Sequence, residues 1–184
     1  MLPEQFCVRM KEMLGEEYAA FYASYDLPKY QALRINPLKT ERDTFLLQAP
    51  FSLNRVPWTT NGYYYSGNDQ PGRHPYHEAG VYYIQEPSAM APAEYLMAEP
   101  GERILDLCAA PGGKSSQIAC SMQGEGLIVC NEIHPARAKI LSENIERMGV
   151  CNALVTNETP QKLSDNFREY FDRILVDAPC SGEG

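Results

Sequence analysis

Two segments of the chain combine residue types that do chemistry, Asp106-Leu-Cys-Ala-Ala-Pro-Gly-Gly-Lys114-Ser-Ser and Asp177-Ala-Pro-Cys180-Ser-Gly-Glu-Gly184. Each follows a short apolar run ending in aspartate, Arg103-Ile-Leu-Asp106 and Arg173-Ile-Leu-Val-Asp177. Such runs read as buried parallel strands, whose carboxyl ends deliver side chains to a ligand crevice. The Gly-Gly turn at the first tip suits a cofactor loop. The Pro-Cys pair at the second suits reaction chemistry, since a cysteine can donate a hydrogen bond as thiol or take up a proton as thiolate.

Three cofactors compete for Ala109-Ala-Pro-Gly-Gly-Lys-Ser-Ser. A P-loop needs glycine five residues before Gly113, and that position is Cys108. The G-x-G-x-x-G of a dinucleotide fold is absent. S-adenosylmethionine has no pyrophosphate at its methionine end, so a tight Gly-Gly turn suffices. It also wants an acid for its ribose hydroxyls, and Glu132 ends the next apolar run twenty residues after Gly112. A carboxylate there can accept both hydrogen bonds of a vicinal diol. The turn alone fits an ordinary strand-to-helix connection equally well; the acid at the neighbouring tip favours S-adenosylmethionine.

These groups need a scaffold, and from about Tyr76 the pattern supplies one. A helix is expected over 87–98 with proline in its first turn and an inner Pro92 able to bend it. A strand at 103–109, a helix at 113–122 and a strand at 127–132 follow. Helix 136–149 carries Ala138, Leu141, Ile145 and Met148 on one face and closes on Gly149. Strands at 153–156 and 172–177 flank a mixed or helical stretch at 160–170. Strands alternating with helices imply a parallel, doubly wound sheet. Upstream, residues 3–25 hold two helical patterns, 32–36 alternates like a strand, and Thr40-Glu-Arg-Asp opens a short helix. Val56-Pro-Trp58 and Gly62-Tyr-Tyr-Tyr65 read as strands. The turn-rich Ser66-Gly-Asn-Asp-Gln-Pro-Gly72 marks the expected boundary between an α+β region, 1–72, and a Rossmann-like domain, 73–184.

Bulk properties narrow the classes. At 184 residues the chain can bury a real core. Its start lacks the basic and apolar regions of a signal peptide, and no segment has the apolar length of a membrane span. Six cysteines without a C-x-x-C pair argue against zinc and disulfides and fit a reducing cytoplasm. A net charge of −8 votes against a nucleic-acid partner unless a local basic cleft exists.

The two motifs together resemble the Nop/Sun-type RNA cytosine carbon-5 methyltransferases. Leu33-Arg-Ile-Asn-Pro-Leu-Lys39 and Gly80-Val-Tyr-Tyr-Ile-Gln-Glu-Pro-Ser-Ala-Met90 resemble family segments too. With His74-Pro-Tyr-His77, they are most similar to the bacterial branch acting on small-subunit ribosomal RNA. The resemblance implies a Rossmann-like S-adenosylmethionine-dependent methyltransferase sheet, cut after its fourth strand, behind a small α+β N-terminal domain. It implies that Cys108, Ala109, Ala110, Pro111, Gly112, Gly113 and Lys114 line the methionine end of the cofactor and that Glu132 holds its ribose. Asp177 would face both cofactor and base, and Cys180 would assist release of the methylated product. The family's attacking cysteine would lie beyond residue 184. Where relatives place an aspartate near the adenine, this chain reads Asn157-Glu-Thr159, so Thr159 or a neighbour supplies that contact.

Cytosine carbon 5 becomes nucleophilic only after a thiolate adds to carbon 6, and a group that stabilises charge on the ring assists the addition. The target base must leave its stack to be reached. Read alone, Cys180 would be a small buried residue in a turn; its setting after Asp-Ala-Pro favours the chemical role. Cys108, Cys120, Cys130 and Cys151 read as structural, with Cys108 able to meet the cofactor through its backbone. His74 and His77 lack other metal-ligand spacing, so no metal is expected. Tyr63, Tyr64 and Tyr65 suit base stacking or core packing, and Arg34 and Lys39 suit phosphate contact or plain surface charge. The expectation is RNA cytosine-5 methylation, with tRNA as the alternative substrate. A rival is a module that binds RNA or cofactor without turnover. Amino-group methyltransferases would show Asp/Asn-Pro-Pro-aromatic where this chain has Asp-Ala-Pro-Cys.

Overall fold

A computed structural model describes residues 2–179. Two compact units divide at Tyr30. In the first, α1 (Glu4–Leu14) ends at Gly15, whose φ of 53° turns the chain into α2 (Tyr18–Ser24) after a single 3₁₀ turn. Phe6 meets Phe21 at 6.2 Å, and Phe21 meets Tyr25 edge-on at 5.3 Å. Neither helix buries a residue, so this pair is held by an aromatic stripe rather than a core.

The second unit contains two sheets. The antiparallel one has the order β2-β3-β1-β4, from β1 (Ala32–Ile35), β2 (Leu53–Arg55), β3 (Gly62–Tyr65) and β4 (Tyr82–Ile84). The short α3 (Arg42–Gln48) and α4 (Pro75–Glu78) lie between its strands in sequence. Its core is Leu33, Ile35, Phe45, Tyr63 and Tyr82, so one of the three tyrosines weighed for stacking packs inside. The turn at 66–72 falls between β3 and β4 of this one sheet.

Two sequence expectations shift here. The strand forms at Leu53–Arg55 rather than 56–58. Val56 makes the last ladder bond, to the Gly62 carbonyl; Pro57 has no N–H to extend it, and the chain turns. The helix expected over 87–98 is split into a 3₁₀ turn at Ser88–Met90 and α5 (Ala91–Leu96), which puts Pro92 in a first turn instead of an interior.

The parallel sheet has the order β7-β6-β5-β8, from β5 (Arg103–Asp106), β6 (Leu127–Asn131), β7 (Ala153–Thr156) and β8 (Arg173–Leu175). Ile104, Leu105, Ile128 and Val129 are buried, as central parallel strands require. The connecting helices are α6 (Gly113–Ser121), α7 (Pro135–Met148) and α8 (Pro160–Asn166). Helix α7 buries the four expected residues and closes on Gly149 at φ 74°. Strands β5 and β8 are shorter than the sequence suggests, ending at Asp106 and Leu175. The chain winds outward from β5 through β6 to β7, then returns to the other side of β5 at β8. The order therefore reverses between β5 and β8, and the two motifs leave the sheet side by side at this switch point.

A cleft at the strand switch point

Asp106 ends β5 almost fully buried, at 1% exposure. The Ser115 hydroxyl, from the first turn of α6, donates to its Oδ2 at 2.7 Å and ties helix to strand. Burial raises the Asp106 pKa to about 6, against the opposing effects of the Ser115 bond, Lys114 and the Cys108 amide. Gly112 precedes α6 at φ 109°, a conformation suited to glycine. A Cβ there would also press to 3.2 Å on Leu141 of α7. Neighbouring Gly113 lets Tyr83 approach, since its Cβ would lie 3.2 Å from that ring.

A cleft of about 470 Å³ opens at this point. Cys108, Ala109, Ala110, Pro111, Gly113 and Lys114 line one side, with Asp177, Ala178 and Pro179 from beyond β8. The Lys114 Nζ lies 2.6 Å from Asp177 Oδ2, so the two motifs meet across it. The Cys108 thiol is pushed up in pKa by burial and by the Asp106 carboxylate, which keeps it protonated near neutrality. Cys180 lies outside the described residues.

Glu132 is not part of the cleft lining. It follows β6 at 3% exposure; Oε1 accepts from the His134 amide at 2.9 Å, and Oε2 pairs with Arg137 Nη1 at 3.2 Å. Arg137 does line the cleft and donates to the Ala110 carbonyl at 2.9 Å, linking the acid to the glycine loop. Asn157 lies beyond β7 and donates to the Glu132 carbonyl at 2.6 Å, while Thr159 caps α8 by accepting from the Lys162 amide. Asn131 braces these tips: its amide donates to the carbonyls of Leu107 and Glu158, and its Oδ1 accepts from Thr156 and the Glu158 amide.

Other expected contacts resolve differently. Arg34 is 2% exposed and donates to Ser116 Oγ at 2.8 Å, with Tyr83 under its guanidinium. An arginine so enclosed is not presented to phosphate, because β1 is buried along its whole length and the face opposite Leu33 and Ile35 is covered too. Lys39 is exposed, with its side chain lying against Gly149. Cys120 and Cys130 are both raised in pKa by burial, Cys130 to about 12. His74 caps α4 by accepting from the Tyr76 amide at 3.2 Å. Among the described residues no cluster of three or more His, Cys, Asp or Glu could hold a metal, and no helix is long and apolar enough to cross a membrane.

The far wall is Tyr83, Ile84, Gln85, Glu86 and Ala89, which the sequence marks as part of a family-like segment but not as site residues. Its signal was the β-prone Tyr82-Tyr-Ile84 within residues 80–90, which the structure turns into β4 and brings to the glycine loop.

This arrangement has counterparts. Residues 2–87 match the family description "N-terminal domain of 16S rRNA methyltransferase RsmF", and residues 93–184 match "16S rRNA methyltransferase RsmB/F". Proteins named ribosomal RNA small subunit methyltransferase F are similar: that of Enterobacter sp. (strain 638) is 38% identical and that of Citrobacter koseri 39%. Each alignment takes in 99% of this chain and 40% of the relative. The chain thus spans about 40% of the length of these curated relatives. A solved methyltransferase homolog protein from Pyrococcus horikoshii is 31% identical with a TM-score of 0.86, over 98% of this chain and 60% of that one.

Proposed function

Because the chain belongs to the 16S rRNA methyltransferase RsmB/F family, we propose that it forms the N-terminal part of an enzyme methylating carbon 5 of cytosine in small-subunit ribosomal RNA, with S-adenosylmethionine as donor. The contact that carries this reading is Lys114 against Asp177, which joins the glycine loop to the Asp-Ala-Pro-Cys motif within one cleft. On this reading residues 1–72 serve RNA binding and 73–184 form the first half of the catalytic domain. The setting is cytoplasmic.

The cleft residues suit the donor in shape and in polarity. Small side chains from Ala109 to Gly113 leave room beside the start of α6, and Arg137 lines the cleft with the buried Glu132 carboxylate paired behind it at the next strand tip. On the same reading the adenine would lie toward Asn157 and Thr159, past β7, which at present bond the Glu132 carbonyl and cap α8. When bound, S-adenosylmethionine supplies an electrophilic methyl on sulfonium. Cys108 to Lys114 would hold its methionine end, and Glu132 its ribose, sharing a carboxylate that has lone pairs left after its two present contacts.

Protein groups then act on the base. A thiolate, assigned from the family resemblance to a segment after residue 184, adds to carbon 6 of cytosine. Lys114, held in place by the Asp177 carboxylate, stabilises the negative charge that develops at the ring's polar edge. The carbon 5–carbon 6 enamine takes the methyl group, carbon 5 loses its proton to a base, and the thiolate departs as the ring double bond re-forms. Cys180, three residues after Asp177, assists that departure. The products are 5-methylcytosine, S-adenosylhomocysteine and a proton.

The test uses the full-length protein containing this chain, labelled donor and small-subunit ribosomal RNA, with tRNA as the competing substrate. Transfer mapped to cytosine carbon 5 in ribosomal RNA is expected, and Cys180→Ala is expected to trap a covalent RNA adduct on a denaturing gel. Donor or RNA binding without any transfer would instead support a binding module.

A further inference from the structure

We infer that the side-chain carbonyl of Gln85 reads the base in the cleft, accepting a hydrogen bond from the exocyclic amine that distinguishes cytosine from uracil. The inference rests on the cytosine-methylating reading above. Gln85 follows β4 directly, is 7% exposed, and lines the same cleft as Lys114 and Asp177. Its Nε2 donates to the Ala89 carbonyl at 3.0 Å, while Oε1 has no hydrogen-bond partner among the described residues. Turning the amide over would set its carbonyl oxygen against that of Ala89, so the Nε2 bond fixes which end stays free.

The seat of the amide that carries this acceptor is equally constrained. A Cβ built on Gly113 would lie 3.5 Å from both Cδ and Nε2 of Gln85, which seats the amide against the first turn of α6, one residue from Lys114. Glu86, next along the wall, already uses Oε2 to accept from Ser88 and the Ala89 amide. A buried carbonyl without a donor is unfavourable, and a substrate amine that reaches it removes the deficit.

The chemistry of the two pyrimidines then separates them. Cytosine offers a two-hydrogen amine at carbon 4, beside acceptors at nitrogen 3 and oxygen 2. Lys114 is donor-only and suits those acceptors; Gln85 Oε1 suits the amine. Uracil would bring a carbonyl oxygen to Gln85 and leave both oxygens unpaired. A site built to bond a substrate N–H discriminates strongly against an analogue that lacks it.

The experiment uses the full-length protein and ribosomal RNA assembled with cytidine, uridine or the 2-pyrimidinone ribonucleoside, which lacks the amine, at the mapped target. Transfer rates are compared between wild type, Gln85→Leu and the longer, unbranched Gln85→Met, with donor affinity by calorimetry reporting a folded cleft. The cytidine-to-pyrimidinone rate ratio is expected to fall by about tenfold or more in both variants, the worth of one well-made hydrogen bond. Intrinsic differences in base reactivity cancel in that comparison. A ratio within twofold of wild type, in a variant that still binds donor, overturns the inference. So does wild-type transfer to uridine within tenfold of cytidine, a result that needs no variant. Absence of transfer to cytidine itself would remove the reading beneath the inference instead.

Discussion

The Lys114 ammonium sits 2.6 Å from the Asp177 carboxylate, bridging the carboxyl ends of β5 and β8. Asp177 is 52% exposed, so solvent screens the pair and its share of folding stability is at most about 1 kcal/mol. Lys114→Met and Asp177→Asn should therefore barely move the thermal midpoint. Both should lower single-turnover methyl transfer in the full-length protein by about 100-fold or more, because Lys114 is aimed at the developing negative charge and Asp177 holds it there. The double variant should lose little beyond either single one, as groups acting as a unit do. Large melting shifts with near-normal transfer would reassign the pair to structure.

Asp106 predicts a pH signature. Burial raises its pKa to about 6, so between its unfolded value of 3.8 and 6 the folded chain holds the proton more tightly. The folded-state value is the higher one, so stability from this group is greatest at low pH and is lost as pH rises through about 6. The full difference is on the order of 3 kcal/mol. Asp106→Asn removes that dependence. Denaturant titrations should show the variant gaining on wild type between pH 4 and pH 7, superimposed on a constant offset from the altered Ser115 contact. A parallel pair of curves across that range would show that Asp106 does not carry it.

Glu132 predicts a binding effect. Its oxygens already meet the His134 amide and Arg137, so a ribose diol has to share the carboxylate with both. Glu132→Gln keeps the shape but replaces one acceptor oxygen with a donor. Calorimetry should record donor affinity weakened by about tenfold to a hundredfold, as for hydrogen bonds to a charged group. Unchanged affinity would place the ribose elsewhere.

The parallel half was the more legible in the sequence, for a physical reason. Buried strands such as 103–106 and 127–131 and the amphipathic α7 announce themselves by continuous or periodic apolar residues. The glycine turn and the strand-terminal acids then follow from the connectivity. The antiparallel half was less legible because its strands are short and its contacts distant in sequence. β4 has three residues, and only pairing with β1 makes it a strand. The far wall of the cleft was hidden for the same cause, since Tyr83 and Gln85 reach the glycine loop through tertiary packing. Arg137 went unread because its importance lies in contacts to Glu132 and to the Ala110 carbonyl, which no local pattern encodes.

Arg34 supplies a last prediction, because its burial separates folding from RNA binding. Its guanidinium is lowered in pKa by desolvation, bonds Ser116 through Nη2, and leaves Nε and Nη1 without hydrogen-bond partners among the described residues. A buried cation with incomplete pairing is a poor stabiliser, and an apolar residue of similar length is often neutral or better. Arg34→Met should therefore change unfolding free energy by only about 1 kcal/mol, despite losing the contact over Tyr83. Arg34→Ala should cost about 2–4 kcal/mol, because truncation leaves a cavity between β1 and α6. Neither substitution should alter the RNA affinity of folded, full-length protein beyond twofold, since the guanidinium does not reach the surface. Filter binding at fixed salt alongside denaturant melts separates the two effects. A folded Arg34→Met protein with weakened RNA binding and a flatter salt dependence would return this arginine to the phosphate backbone.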